Sequence, residues 1–114
     1  SINSSKRQLL VGAQMSIKAE VVNDSTFNIK IGERFDFSLV TEFRNSYEDL
    51  APQVKQIEID LSATQYMDSS ALGMLLNMQK VLAERQLTYR IVNTRPQIAR
   101  ILQISRFNKK FDIQ

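Results

Sequence analysis

The sequence predicts an α/β fold with a mixed sheet: a β-hairpin at one edge, mostly parallel strands after it, and helices mainly on one face. Two runs of alternating apolar and polar residues flank the turn cluster 23–25, which predicts the hairpin. Segments with helical spacing then alternate with strand-like segments, so later strands should pair in parallel through right-handed crossovers. With 114 residues, 43% of them hydrophobic, the chain has enough material for one domain's core.

The first half of the chain predicts the hairpin and one helix. Strict alternation starts at Met15, and the inward-facing positions of the two strands are Ile17, Ala19, Val21, Phe27, Ile29 and Ile31. Residues 37–50 change to helical spacing, with an apolar stripe of Val40, Phe43, Tyr47 and Leu50. Asp36 stands at the N-cap position of this helix, and Pro52 follows its end.

The second half predicts two further strand and helix pairs. A strand contains Ile57, Ile59 and Leu61; a polar loop spans 62–69; an almost wholly apolar helix runs from about Ser70 to about Arg85. The next strand contains Tyr89, Ile91 and Val92. Pro96 suits the first turn of a short helix, whose core face is predicted to be Ile98, Ile101, Leu102 and Ile104. Phe107, Phe111 and Ile113 suggest a last short strand.

Composition excludes several kinds of chemistry. The chain has no cysteine, which excludes disulfides, thiol catalysis and cysteine-based zinc sites. It also has no histidine, so it lacks the commonest general base and the commonest metal ligand. We therefore predict no metal and no cofactor, and a protein that is not an enzyme. No apolar run approaches the roughly 18 residues of a membrane span, and no signal peptide is visible. We expect a cytoplasmic protein that does not bind membranes.

The net charge of +3 depends on the first segment of the chain. Residues 1–14 contain Lys6 and Arg7 and no acid, so the remainder carries only +1, which is no footprint for nucleic-acid binding. We interpret 1–14 as an N-terminal extension or a remnant of cloning, and 15–114 as the domain. The alternative is a native arm that packs on the domain through an apolar run, Leu9, Leu10 and Val11.

Asp68, Ser69 and Ser70 stand where the polar loop meets the long helix. The simpler interpretation is capping, because aspartate and serine side chains accept hydrogen bonds from the free N–H groups at a helix start. The sharper interpretation uses the same physics. A phosphate on a serine there, with a charge of about −2, would meet the positive end of the helix dipole and block a docking surface by charge and bulk.

These residues resemble the signature of STAS domains, which include the bacterial anti-sigma factor antagonists. The signature is a strand, a loop, Asp-Ser-Ser-[Gly/Ala]-Leu-Gly and an apolar helix. The matching segments are 68–73 with Ile59-Asp60-Leu61 before them, 33–37, 93–98 and 101–107. The resemblance covers roughly residues 15–113 in the right order. It implies a STAS-type sheet, and it is closest to single-domain members that regulate biofilm formation.

The resemblance also implies roles for individual residues. In the antagonists a partner kinase phosphorylates the second serine of the motif, which is Ser70 here. Asp68 and Ser69 match its neighbours, and Asp36 matches an aspartate of another loop near the kinase interface. Ala71 replaces the commoner glycine of the motif, and Glu33 stands where the family usually has glycine, but neither departure removes the hydroxyl.

The methionines near the motif have two interpretations. Met67, Met74 and Met78 could line an adaptable docking patch beside Ser70, or they could fill the core, which we favour for at least one or two of them. We assign the partner interface to the phosphosite neighbours, namely Asp68, Ser69, Asp36, Met67, Ala71 and Met74.

The function implied by the resemblance is a phospho-switched interaction module. The unphosphorylated form would bind its partner, and phosphorylation of Ser70 would block binding. The partners would be a serine protein kinase, of the anti-sigma factor or bifunctional regulator type, and a PP2C-type phosphatase. The output would be sigma-factor release or control of biofilm formation, and we expect a monomer. The alternative is a nucleotide or small-ligand module, although the chain has no Gly-rich phosphate-binding motif.

Overall fold

The computed structural model describes residues 16–114, so the prediction about residues 1–14 lies outside the described residues. The strands are β1 (Ile17–Val21), β2 (Thr26–Ile31), β3 (Arg34–Phe35), β4 (Gln56–Asp60), β5 (Tyr66–Met67), β6 (Thr88–Val92) and β7 (Asp112–Ile113). The α-helices are α1 (Val40–Ser46), α2 (Ser69–Val81) and α3 (Pro96–Ile104). Short 3₁₀ turns occupy Phe37–Leu39, Ala83–Arg85 and Phe107–Lys109. Within residues 16–114, no helix is long and apolar enough to cross a membrane.

The main sheet confirms the predicted fold class. Its five strands lie in the order β1-β2-β4-β6-β7. Strand β1 pairs antiparallel with β2, and every later pair in the sheet is parallel. The hairpin therefore forms one edge, and the helical crossovers connect the parallel strands as the alternation of the sequence predicted.

A second, two-stranded sheet was not predicted. Strands β3 and β5 pair in parallel, with Arg34 opposite Tyr66 and Phe35 opposite Met67. The predicted loop 62–69 therefore contains a strand. Thr64 anchors this segment, because its fully buried hydroxyl donates to the carbonyl of Gly32 at 2.9 Å.

The core lies between the helices and one face of the main sheet. Ile29, Ile59 and Ile91 stand side by side on three neighbouring strands, and all are fully buried. They belong to one apolar cluster with the inward residues of the helices, which are Phe43, Ala71, Met74, Leu75, Met78, Ile98 and Leu102.

Three predicted core positions are wrong. Ala19 and Val21 are exposed because the helices do not cover the far end of the edge strand β1. Ile104 is 74% exposed because the buried face of α3 is made by Ile98 and Leu102, and the last helical residue points away from it.

The opposite face of the sheet carries a polar row across four strands. The side-chain amide of Asn28 donates to Glu58 at 2.9 Å, and Arg90 donates to the other oxygen of Glu58 at 3.3 Å. The guanidinium of Arg90 also lies 3.8 Å from a carboxylate oxygen of Asp112. These residues stand opposite one another in the strand register, so the row follows directly from the pairing.

The first helix is shorter than the predicted 37–50. Asp36 caps a 3₁₀ turn, and the α-helix proper ends at Ser46. The hydroxyl of Ser46 donates to the carbonyl of Phe43 at 2.6 Å, and the amide of Tyr47 donates to the carbonyl of Arg44, three residues back. These bonds replace the i to i−4 pattern and so end the helix.

Candidate functional site

The β3–β5 pair brings two similar segments of chain to one place. Each strand is followed by Asp-x-Ser: Asp36-Phe37-Ser38 after β3 and Asp68-Ser69-Ser70 after β5. Because the strands are parallel and Phe35 stands opposite Met67, the two aspartates follow at neighbouring positions. The sequence separates them by about thirty residues, and this short ladder brings them together.

Asp68 caps helix α2 and holds the hydroxyl of Ser70. One carboxylate oxygen accepts from the Ser70 Oγ at 2.5 Å and from the Ala71 amide at 3.2 Å. Ser70 is half-buried, and Ser69 beside it is exposed. Both interpretations of the motif are therefore compatible with this geometry: Asp68 is the cap, and the Ser70 hydroxyl is held at the helix start with one defined partner.

Asp36 makes the same arrangement on the neighbouring segment. Its carboxylate accepts from the Ser38 amide at 3.0 Å and from the Ser38 hydroxyl at 2.5 Å. Arg34 donates to its other oxygen at 3.4 Å, and the Arg34 guanidinium also lies 4.2 Å from the centre of the Tyr66 ring. This cation–π contact joins the two segments across the ladder.

Hydrogen bonds keep both carboxylates charged. The Ser70 hydroxyl is the main cause that lowers the pKa of Asp68, with backbone amides assisting, against opposing effects of burial and of the Asp36 charge. The Ser38 hydroxyl is likewise the main cause that lowers the pKa of Asp36, with the Arg34 charge contributing. The start of α2 is therefore flanked by two carboxylates that feel each other's charge.

A groove opens between α1 and α2, with Ser70 at its rim. Its volume is about 260 Å³. Its lining residues are Phe37, Val40, Phe43, Arg44, Tyr47, Ser70, Gly73, Met74 and Asn77. Phe37 is 65% exposed although it is aromatic, and its side chain is among those that line the groove. The phosphosite candidate therefore borders an apolar depression.

The remaining predicted interface residues lie beneath the surface. Met67 is 5% exposed, Ala71 is fully buried, and Met74 is 8% exposed but lines the groove. Met78 is fully buried in the core. The sequence reasoning did not assign Phe37 or Arg44 to the site. Their position was the one feature of the sequence that could have indicated this role, because both residues follow the N-cap Asp36 on the first predicted helix.

The residues of this site match a known family. The sequence model of one family, described as STAS domain, matches residues 17–114. The chain belongs to the STAS domain family. A STAS-domain containing protein of Pseudomonas aeruginosa is 38% identical over 85 residues, which cover 75% of this chain and 84% of that protein.

Two solved structures of other proteins share the fold. An anti-sigma factor antagonist from Mycobacterium paratuberculosis has a TM-score of 0.70 at 20% identity, over 85% of this chain and 82% of its own. The Bacillus cell fate determinant SpoIIAA, in its phosphorylated form, has a TM-score of 0.66 at 20% identity, over 86% of this chain and 90% of its own. The predicted family and STAS-type fold are thus confirmed.

Proposed function

We propose that this STAS domain is a phospho-switched interaction module and that Ser70 accepts the phosphate. The observation that carries the proposal is the position of the Ser70 hydroxyl. It is held 2.5 Å from the Asp68 carboxylate, at the start of a 13-residue helix and on the rim of an apolar groove. In this proposal the chain is the substrate of a kinase and a phosphatase and catalyses nothing itself.

The geometry provides a way for one phosphate to change the site. A serine kinase transfers the terminal phosphoryl group of ATP to the Ser70 oxygen: the Oγ–P bond forms, the bond from that phosphorus to ADP breaks, ADP leaves, and the hydroxyl proton is released to solvent. The hydrogen bond to Asp68 is then lost, because a phosphoester oxygen has no hydrogen to donate. The new group, with a charge of about −2, is repelled by Asp68 and by neighbouring Asp36, so it turns outward over the groove. A partner docked there is displaced by charge and bulk.

A protein with the same fold that exists in two phosphorylation states supports the proposal of a phosphorylated state. The anti-sigma factor antagonist SpoIIAA has been solved in an unphosphorylated and in a phosphorylated form. By analogy, the partners proposed for this chain are a serine kinase of the anti-sigma factor or bifunctional regulator type and a PP2C-type phosphatase. The proposed output is sigma-factor release or biofilm control by a cytoplasmic, monomeric protein.

The first experiment is intact-mass analysis with site mapping of the protein purified from its native cells. We expect one phosphate on Ser70 that disappears when the responsible serine kinase is deleted. Ser69→Ala is the matched control, because it removes the neighbouring exposed hydroxyl and should leave the phosphate in place. If no growth condition yields phosphate on Ser70, the switch is wrong, and the motif is a helix cap on a constitutive docking or ligand-binding domain.

A binding experiment tests the direction of the switch. Ser70→Ala should bind the kinase as the unphosphorylated protein does, and Ser70→Asp should bind it more weakly. One carboxylate carries less charge than a phosphate, so the block should be partial. Equal binding by the two variants, at equal thermal stability, would contradict the proposal.

A further inference from the structure

Gly73 lies in the groove wall at a place where the fold does not need a glycine. It is in the interior of α2, its φ is not positive, and a Cβ built on it would meet nothing within 4 Å. Glycine is the poorest helix former after proline. Within the described part of the chain, nothing in the packing explains its use. A close approach of another molecule to the backbone would explain it.

We propose that the groove between α1 and α2 receives one apolar side chain of a partner protein, and that Gly73 keeps this slot open. With no side chain there, the partner's backbone can approach α2 closely. The inference rests on the proposed function for the class of partner, and it adds the place and the chemistry of docking.

The size of the groove favours an anchored side chain over a free ligand. Its volume of about 260 Å³ exceeds the roughly 150 Å³ of an engineered cavity that admits benzene. It is below the roughly 300 Å³ at which pockets for small molecules begin. One phenylalanine or leucine side chain fits it, with the partner's backbone covering the open side.

The groove is lined mainly by apolar side chains. Phe37, Val40 and Met74 present carbon to the groove. Tyr47 also lines the groove, and the Asn77 side chain lies beside its hydroxyl. Filling the groove with an apolar group therefore leaves this hydroxyl with a polar neighbour.

The charge of Arg44 indicates which residue should stand next to the partner's apolar side chain. Arg44 is exposed, and among the described residues 16–114 it is the one charged residue that lines the groove. Within residues 16–114, no carboxylate lies within ion-pair distance of it. An aspartate or glutamate beside the anchor would pair with Arg44. The occupant is thus an aromatic or branched aliphatic side chain flanked by a carboxylate.

A dipeptide titration followed by NMR tests the chemistry without needing the partner. The probe is N-acetyl-Asp-Phe-amide, and the signals are the methyl groups of Val40 and Met74. We expect both to shift and saturate at millimolar probe. The matched N-acetyl-Lys-Phe-amide should bind at least fivefold more weakly, because its charge opposes Arg44. Equal binding of the two probes, or no shift with either, overturns the proposal.

Paired variants test the role of Gly73. Gly73→Gln puts a side chain into the groove without straining the helix, and Lys80→Gln adds the same side chain at an exposed α2 position outside it. We expect Gly73→Gln to weaken probe binding at least tenfold, which corresponds to about 1.4 kcal/mol, and Lys80→Gln to leave it unchanged. If both bind like the wild type, the groove is not the docking slot.

The kinase identified for Ser70 then allows the same variants to be tested against the whole partner protein. Gly73→Gln should weaken its binding to the unphosphorylated domain at least tenfold while both variants keep their thermal stability. Phe37→Ala should also weaken kinase binding, and Ile104→Ala, which removes an exposed apolar side chain on α3, should not.

The switch and the slot can fail separately. If the protein carries no phosphate but still binds the probe, only the switch is refuted. If Ser70 is phosphorylated but Gly73→Gln binds the kinase normally, only the slot is refuted. Concentration-dependent dimerisation abolished by Gly73→Gln would assign the groove to a second copy and overturn the proposal.

Discussion

Replacing Gly73 by alanine should stabilise the domain. The residue is exposed, lies inside a 13-residue helix and has open space where the methyl group would stand. The gain is therefore the difference in helix propensity alone, about 0.8–1.0 kcal/mol. Each kcal/mol shifts the Tm of a domain of roughly 100 residues by about 4–8 °C, so the expected rise in Tm is about 3–8 °C.

Gly32→Ala is the matched control for this prediction. Its added Cβ would lie 3.1 Å from the Ser16 carbonyl oxygen and 3.3 Å from the Ser16 Cα, and both are backbone atoms of the residue that precedes strand β1. The clash should offset the benefit of a less flexible unfolded chain, so Tm should stay at or below the wild-type value. Differential scanning calorimetry measures both variants. An unchanged or lower Tm for Gly73→Ala would refute the argument that the fold leaves this position free.

Three further changes test the packing and the charges. Phe43→Ala should cost about 3–5 kcal/mol in urea unfolding, because Phe43 is 1% exposed in the core. Tyr89→Phe should raise Tm, because the buried Tyr89 hydroxyl has no hydrogen-bond partner among residues 16–114. Tyr47→Phe should lower Tm, because the Asn77 side chain lies beside the Tyr47 hydroxyl. Asp36 and Asp68 both have pKa values below the ordinary 3.8, so the stability that they supply is complete above that pH and is lost as the pH falls through their lower folded values. Urea titrations from about pH 5 to about pH 2.5 should show a shallower loss for the double asparagine variant than for the wild type.

The main sheet could be predicted because its strands leave a periodic signal. Alternation identified β1, β2 and β4, and the helical stretches between later strands implied parallel pairing. Strands β3 and β5 have two residues each, too few for any period to show. The ladder that gathers the site therefore could not be found from alternation.

The Asp-Ser-Ser part of the candidate site was predictable, but the groove beside it was not. The Asp-Ser-Ser segment marks a helix start by its chemistry, and the resemblance to STAS domains singled out Ser70 within it. The groove depends on how α1 and α2 pack, which no local pattern encodes. Arg44 and Phe37 line the same groove only because the two helices pack together. That Gly73 has open space beside it can be seen only in the structure.

The polar row on the opposite face of the sheet also favours one alignment of strand β4. A slip of β4 by one residue against its neighbours would turn Glu58 into the core and Ile59 to water, and it would break the bonds that join Glu58 to Asn28 and Arg90. A misaligned β4 would therefore lose apolar burial on one face of the sheet and hydrogen bonds on the other. Because β4 feeds the segment that ends at Asp68, the strand alignment that these charges select also fixes where helix α2 begins.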